Sequence, residues 1–224
     1  MNSKRFFVMA VFLVGALVLG ACGSAQADAA ASEAAPAEAA AEPTYGENGI
    51  PVYGCLGTAE DALVDLNCRE VTIAVENAYL PFNYIDEATG QAGGWDYVVI
   101  PEICTLLHCT PVFEECSWDI LIQSVADGLY DMGADGITNT TDRQEIVDFS
   151  DTYISIDQRL LVNKGEDRFA SIEDFVAVTD LILGVQSGTT NYETAVKYLP
   201  EERISAFEQY PFAVQSLLSN DVDA

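Results

Sequence analysis

The chain has 224 residues, with 36 acidic against 9 basic side chains and a formal net charge of −27. A field of that sign repels phosphate backbones and anionic lipid headgroups, so nucleic-acid binding is excluded. Half of the residues are hydrophobic, which excludes a chain disordered throughout, and a single histidine, His108, leaves little scope for His-based metal or triad chemistry.

Residues 1–5 form a short basic head, and residues 6–19 an uninterrupted run of apolar residues and Gly. At 14 residues the run falls short of the roughly 20 that a spanning helix needs, and it fits the core of a secretory signal. It ends in Leu19-Gly20-Ala21-Cys22, which resembles a bacterial lipobox. That resemblance implies a lipoprotein signal peptide over residues 1–21 and lipidation of Cys22 as the new N-terminus; an ordinary signal peptide with an incidental Cys is the alternative. Several acyl chains hold firmly at about 0.8 kcal/mol per buried methylene. The expected location is the outer face of the cell membrane, with the lipid as the only membrane contact. Residues 22–50 read as the lipidated Cys and a tether rich in Ala, Glu and Pro, without apolar periodicity.

Cys55 and Cys68 flank an acidic loop, and Cys104 and Cys109 bracket the end of an apolar helix. An exported protein meets an oxidising milieu, so each set is expected to pair locally, leaving Cys116 free, although sequence does not fix connectivity. No CxxC pair or His partner supports zinc or redox chemistry, and neither a metal nor a cofactor is expected. His108 reads as a surface or capping residue.

From residue 71 short apolar strands alternate with helical stretches. A strand over 71–75 is followed by a loop over 76–82, a helix over 95–107 and a strand beginning at 111–113. An amphipathic helix over 119–128 has Ser117 or Asp119 placed to cap it and Gly128 to end it. A strand over 130–136, a short helix over 140–145 and a long β-rich run over 153–162 follow. A second series comprises a strand over 181–185, a helix over 190–199, a strand near 204–210 and a helix over 212–218. This alternation predicts an α/β fold with mostly parallel sheets, in two lobes spanning residues 51–158 and 159–224.

Ligands in such folds bind beyond the carboxyl ends of strands. The loops there carry Glu76, Tyr79 and Phe82, then Trp118, then Asp135-Gly136-Ile137-Thr138 with Arg143 beyond, and finally Gln186-Ser187-Gly188-Thr189-Thr190. The guanidinium of Arg143 presents a planar fork that matches a carboxylate. A Gly-Thr-Thr turn entering a helix offers backbone N–H groups as a second anion seat. Each residue also has a plainer reading: Arg143 as a surface partner of Glu145 or Asp148, Tyr79, Phe82 and Trp118 as core, and Glu76 and Asp135 as two acids among many. No P-loop, GxSxG or HExxH motif occurs, and the sequon at Asn139 is incidental.

The stretches VTIAVENAYLPFNYI, GGWDYVVIPEI, SWDILIQSVADGLYDMGADGITNTTDRQEIVDFSDTY, LGVQSGTTNYE and LLSNDVDA, which span residues 71–224, together resemble the family 3 extracellular solute-binding proteins of ABC amino-acid transporters, with the type II periplasmic-binding fold. The resemblance implies a monomeric binding protein, not an enzyme, that captures a polar amino acid between two lobes and delivers it to an ABC permease. Tyr79 and Trp118 would flank the ligand side chain with Phe82 behind them, and Gly136 and Thr138 would bond the α-amino and α-carboxyl groups. Arg143 would pair with the α-carboxylate, met from the second lobe by Gly188, Thr189 and Thr190. Glu76 would face the α-amino group or a polar tail, and residues 153–161 would form one hinge crossing. Val98 and Ile120 depart from the family pattern in ways confined to helix packing. Asp135 replaces a small residue and adds negative charge, which together with Glu76 points to a cationic ligand such as arginine or lysine. Family members run on past the DVDA segment, so a chain ending at Ala224 reads as a fragment with lobe 2 incomplete. The competing readings are a same-fold prephenate or arogenate dehydratase and the sensing domain of a receptor.

Overall fold

The computed structural model describes residues 43–224, which fall within one compact unit of the chain. The expected signal peptide, the expected lipidation at Cys22 and the expected tether as far as residue 42 lie outside the described residues. The first element is a hairpin in which β1 (Thr44–Tyr45) pairs antiparallel with β2 (Pro51–Val52). Its turn holds Gly49 at φ 75°, where a Cβ would collide with the Gly90 carbonyl. Ile50 is buried in the adjoining core. The folded part therefore begins ahead of residue 51, which corrects the tether expected over 22–50: one buried apolar residue and a glycine turn seat the segment on the sheet.

After β3 (Glu70–Val75), the short strands β4 (Ala78–Tyr79), β5 (Asn83–Ile85) and β6 (Ala92–Gly93) form an antiparallel meander leading into α1 (Trp95–Leu107). Then come β7 (Thr110–Glu115), α2 (Trp118–Ala126), β8 (Met132–Gly133) and the single turn α3 (Thr141–Gln144). The main sheet runs β1-β2-β7-β3-β8, with β3 parallel to both β7 and β8. The period of two along β3 dictates the layering. Ile73 and Val75 enter a core with Tyr97 and Ile100 of α1, while Ala74 faces Leu121 of α2 and Cys116 on the other side. A helix thus covers each face of the strand.

Disulfides join Cys55 to Cys68 and Cys104 to Cys109, and Cys116 is free and buried. His108 closes α1 at φ 51°, its N–H bonded to the Cys104 carbonyl, with its ring between Asp65 and Cys68. Ser117 takes the N-cap position of α2 without a side-chain cap bond, and Gly128 stops the chain at φ 74°. The strand expected over 130–136 shrinks to β8. The Asp131 carboxylate accepts from the Thr72 N–H (2.9 Å) and hydroxyl (3.1 Å), and Asp135 turns away toward Asn83.

The run over 153–162 is not a strand. Residues 151–163 carry no regular structure, and Tyr153, Ile154, Ile156 and Leu161 are exposed. β-Branched composition needs a pairing neighbour before it becomes a strand, and this segment has none among the described residues. Beyond it, α4 (Ile172–Ala177) is capped by the Ser171 hydroxyl, which accepts from the Asp174 N–H. β9 (Leu183–Gln186), α5 (Thr190–Ala195), β10 (Ile204–Phe207) and α6 (Tyr210–Leu218) follow, with α5 ending four residues short of the expected helix over 190–199. β9 and β10 are parallel, and on the other flank of β9 the Gly184 N–H bonds to the Ala224 carbonyl and the Asp223 N–H to that of Ile182. Phe175, Leu181, Val185 and Leu199 form the second core. Arg203 donates to the carbonyls of Phe175, Val176, Val178 and Leu181 at 2.7–2.9 Å, satisfying the end of α4.

Phe175 is fully buried and packs edge-on against Phe169. Phe175→Ala is expected to lower stability by about 3–5 kcal/mol in a urea titration. Arg159→Ala, which removes an exposed pair with Asp157, is expected to change it by less than about 1 kcal/mol.

Candidate functional site

The carboxyl ends of β3, β7, β8 and β9 meet in one cleft, with a cavity of about 100 Å³. Glu76, Tyr79, Trp118, Asp135, Gly136, Thr138, Arg143, Thr189 and Thr190 all line it. Phe82 stands behind, 5.2 Å from Tyr79 between ring centroids. Gly188 contributes its carbonyl, which accepts from Trp118 Nε1 at 3.1 Å and from Arg143 Nη2 at 3.4 Å. All eleven ligand-site residues expected from the sequence are thus in or against one cleft. A larger cavity of about 520 Å³ lies in the second half between residues 158–161 and helices α5 and α6. Of the strand ends that meet in the smaller one only that of β9, at Gln186, reaches it, and its charged groups are Arg159 and Glu173.

Arg143 sits in α3, whose N-cap Thr140 hydroxyl accepts from the Arg143 N–H. Its Nη1 donates to the Thr138 carbonyl at 2.9 Å, and its guanidinium lies 5.2 Å from the centre of the Trp118 ring. Burial lowers its pKa. Among the described residues Arg143 joins no ion pair, so the surface bridge to Glu145 or Asp148 is not what holds it. Gly136 adopts φ 55°, and a Cβ there would meet the Phe82 ring at 2.8 Å. Only glycine suits that position on both counts. Thr189 caps α5, its hydroxyl accepting from the Tyr192 N–H and donating to the Gln186 carbonyl at 2.7 Å.

The lining of the cleft also holds two acids, Glu76 and Asp135. Glu76 is 5% exposed, and both its carboxylate oxygens accept from Gln186 Nε2, at 2.9 and 3.1 Å. Burial raises its pKa against the opposing pull of the Gln186 amide. Asn83 Nδ2 lies 2.8 Å from Asp96 Oδ2, 2.6 Å from Asp135 Oδ1 and 3.3 Å from the Ala134 carbonyl. An amide nitrogen has two protons to serve these three acceptors. Asp135 Oδ2 is buried with no partner. Burial first, then the charges of Glu76 and Asp96, push the Asp135 carboxyl up to about 8 despite the Asn83 bond.

Sequence reasoning gave no role to Gln186, Asn83, Asn191 or Tyr210. A polar residue ending the apolar strand β9 was the available signal for Gln186. Asn83 is marked by nothing local, and Tyr210 reaches the cleft from the start of α6, with its ring centroid 6.1 Å from that of Tyr79.

Residues 71–215 match the family model of the bacterial extracellular solute-binding proteins, family 3. The chain belongs to that family. A probable histidine-binding protein of Neisseria gonorrhoeae is 28% identical over 181 residues, 79% of this chain and 66% of the relative. The arginine-binding periplasmic protein of Mannheimia haemolytica is 26% identical over 173 residues, 77% of this chain and 65% of the relative. The chain therefore spans slightly less than two thirds of the length of both. Among solved structures, the ancestral amino acid-binding protein AncCDT-1, a precursor of cyclohexadienyl dehydratase, superposes with a TM-score of 0.65 at 32% identity, over 69% of this chain and 67% of that one. An ancestral arginine-binding protein bound to arginine gives 0.63 at 29% identity, with the same coverage. The α/β architecture is that of the two-lobed type II periplasmic binding proteins.

A carboxyl whose folded pKa lies above its unfolded value makes the native chain bind more protons than the unfolded one, so stability falls as pH rises between the two values. For Asp135 that window runs from about 4 to about 8. Asp135→Asn is expected to raise the melting temperature most at pH 8 and above, with the gain shrinking toward pH 4 in a calorimetric series.

Proposed function

We propose that this chain is the extracytoplasmic capture component for an amino acid with a cationic side chain, which it delivers to the permease of an ABC transporter. The observation that carries the reading is the composition of the cleft, whose lining includes one guanidinium, in no ion pair among the described residues, and two buried carboxyls, Glu76 and Asp135. Arg143 grips the ligand α-carboxylate through two parallel bonds. Gly188, Thr189 and Thr190 meet the same group from across the cleft, and Gly136 and Thr138 take the α-amino and α-carboxyl groups. Tyr79 and Trp118, backed by Phe82, flank the aliphatic stem, and Glu76 and Asp135 receive the cationic end. The arginine-binding relatives support this ligand class.

The same reading makes residues 1–21 a signal peptide and Cys22 the lipid attachment that holds a monomeric protein on the outer face of the membrane. No helix among the described residues is long and apolar enough to cross a membrane. The two lobes comprise residues 51–158, extended forward to Thr44, and 159–224, with 153–161 as one crossing on which the cleft closes.

A thermal-shift screen of the twenty amino acids tests the reading, because a ligand bound only by the native state raises the melting point by mass action. Arginine or lysine is expected to give the largest rise. Arg143→Ala is expected to weaken binding by about 2–5 kcal/mol, since the ligand carboxylate is then desolvated without a partner, and unchanged affinity would remove Arg143 from the site. Glu76→Gln is expected to weaken arginine far more than glutamine; an unchanged preference overturns the cationic assignment. Turnover of prephenate or arogenate, with Asp135 as the acid, would replace transport with catalysis.

A further inference from the structure

Asp135 differs in kind from the other groups of the cleft. It is 2% exposed and lines the cavity, one oxygen is held by Asn83 and the other has no partner. An isolated buried carboxylate oxygen is among the costliest groups a fold can carry, and such a group is relieved by binding a proton or a cation. The surroundings offer no resident cation to do this. The titratable groups whose charges reach Asp135 are Glu76 at the end of β3, Asp96 of α1, Tyr79 of β4, Cys116 after β7 and Tyr153 of the crossing segment, all acids. Arg143, the cation of the same cleft, is directed to the Thr138 and Gly188 carbonyls.

We propose that Asp135 is a proton-exchanging seat for the cationic end of the ligand, giving up its proton to solvent as an ammonium or guanidinium enters and taking it back as the ligand leaves. This rests on the cationic reading above and adds a stoichiometry to it. The bookkeeping is simple: the O–H bond of Asp135 breaks, the proton goes to a buffer base, and the carboxylate pairs with the arriving charge, so the net charge of the cleft is unchanged by capture. With its carboxyl pushed up to about 8, Asp135 carries a proton in the empty cleft at neutral pH. An opposite charge within about 4–6 Å is enough to bring such a group below neutrality. A neutral amino acid supplies no such charge and leaves the proton in place. Glu76 accepts from Gln186 through both oxygens, whereas Asp135 keeps one oxygen without a partner, which makes Asp135 the seat that exchanges a proton.

Isothermal titration of the protein with L-arginine at pH 7, in phosphate and in Tris, counts protons from the difference in apparent enthalpy. The expected result is release of close to one proton with arginine and none with glutamine. Between pH 6 and 7 the arginine affinity is expected to rise up to about tenfold, flattening above pH 8. Asp135→Asn is expected to abolish both the release and the pH slope while weaker arginine binding persists. Arginine binding without proton transfer, or proton release that survives in Asp135→Asn, overturns the inference and leaves the transport reading standing. Absence of binding by any of the twenty amino acids at any pH overturns both. The proton count on the unsubstituted protein decides the matter even if the variant folds poorly.

Discussion

One side-chain amide, Asn83 Nδ2, lies between the carboxyls of Asp96 and Asp135, and all three groups are nearly sequestered from water. The constraint this sets is severe, because two buried negative charges cannot share two N–H bonds without a large desolvation cost. The arrangement ties β5, the start of α1 and the loop after β8 to one point. Through Asn83 Oδ1, which accepts from the Asn77 N–H at 2.7 Å, it also reaches the loop that presents Glu76. The floor of the cleft is therefore a hydrogen-bonded unit and not a set of independent side chains.

Across the cleft the bonds are few and of a different kind. Glu76 with Gln186, Trp118 with the Gly188 carbonyl, Arg143 with that same carbonyl, and Gln158 with Thr190 and Asn191 are polar links between residues 51–158 and 159–224. Each half has its own apolar core, centred on Ile73 and Val75 in one and on Phe175 and Leu181 in the other. The apolar cores lie within the halves, while the contacts between them include these hydrogen bonds and the edge-on packing of Tyr79 against Tyr210. That division suits a site in which a ligand competes for the groups that hold the cleft together. The backbone carbonyl of Gly188 is the clearest case: it occupies the same guanidinium that a carboxylate would take, at 3.4 Å and so only weakly.

Much of the layering was legible in the sequence. The apolar run over 71–75 marks the strand observed as β3, and the spacing over 95–107 gives the helix with the bounds observed for α1. The strand-end rule places Glu76, Trp118, Asp135, Arg143 and Thr190 in loops of one cleft. It worked because parallel strands all present their carboxyl ends at one edge. It failed for residues 153–162, where composition favoured a strand but the fold supplies no neighbour to pair with.

By itself the sequence determined the alternation of β3, α1, β7, α2, β9, α5, β10 and α6, the exclusion of nucleic-acid chemistry by charge, and the loops in which a ligand could be held. These follow from local periodicity, turn chemistry and net charge, which are additive along the chain. Only the tertiary structure decided which acid is bonded and which is bare. Glu76 and Asp135 are both acids at strand ends, yet one meets an amide 110 residues away and the other keeps an oxygen with no partner. Protonation depends on burial and on neighbours brought together by folding, and neither is written in the spacing of the residues.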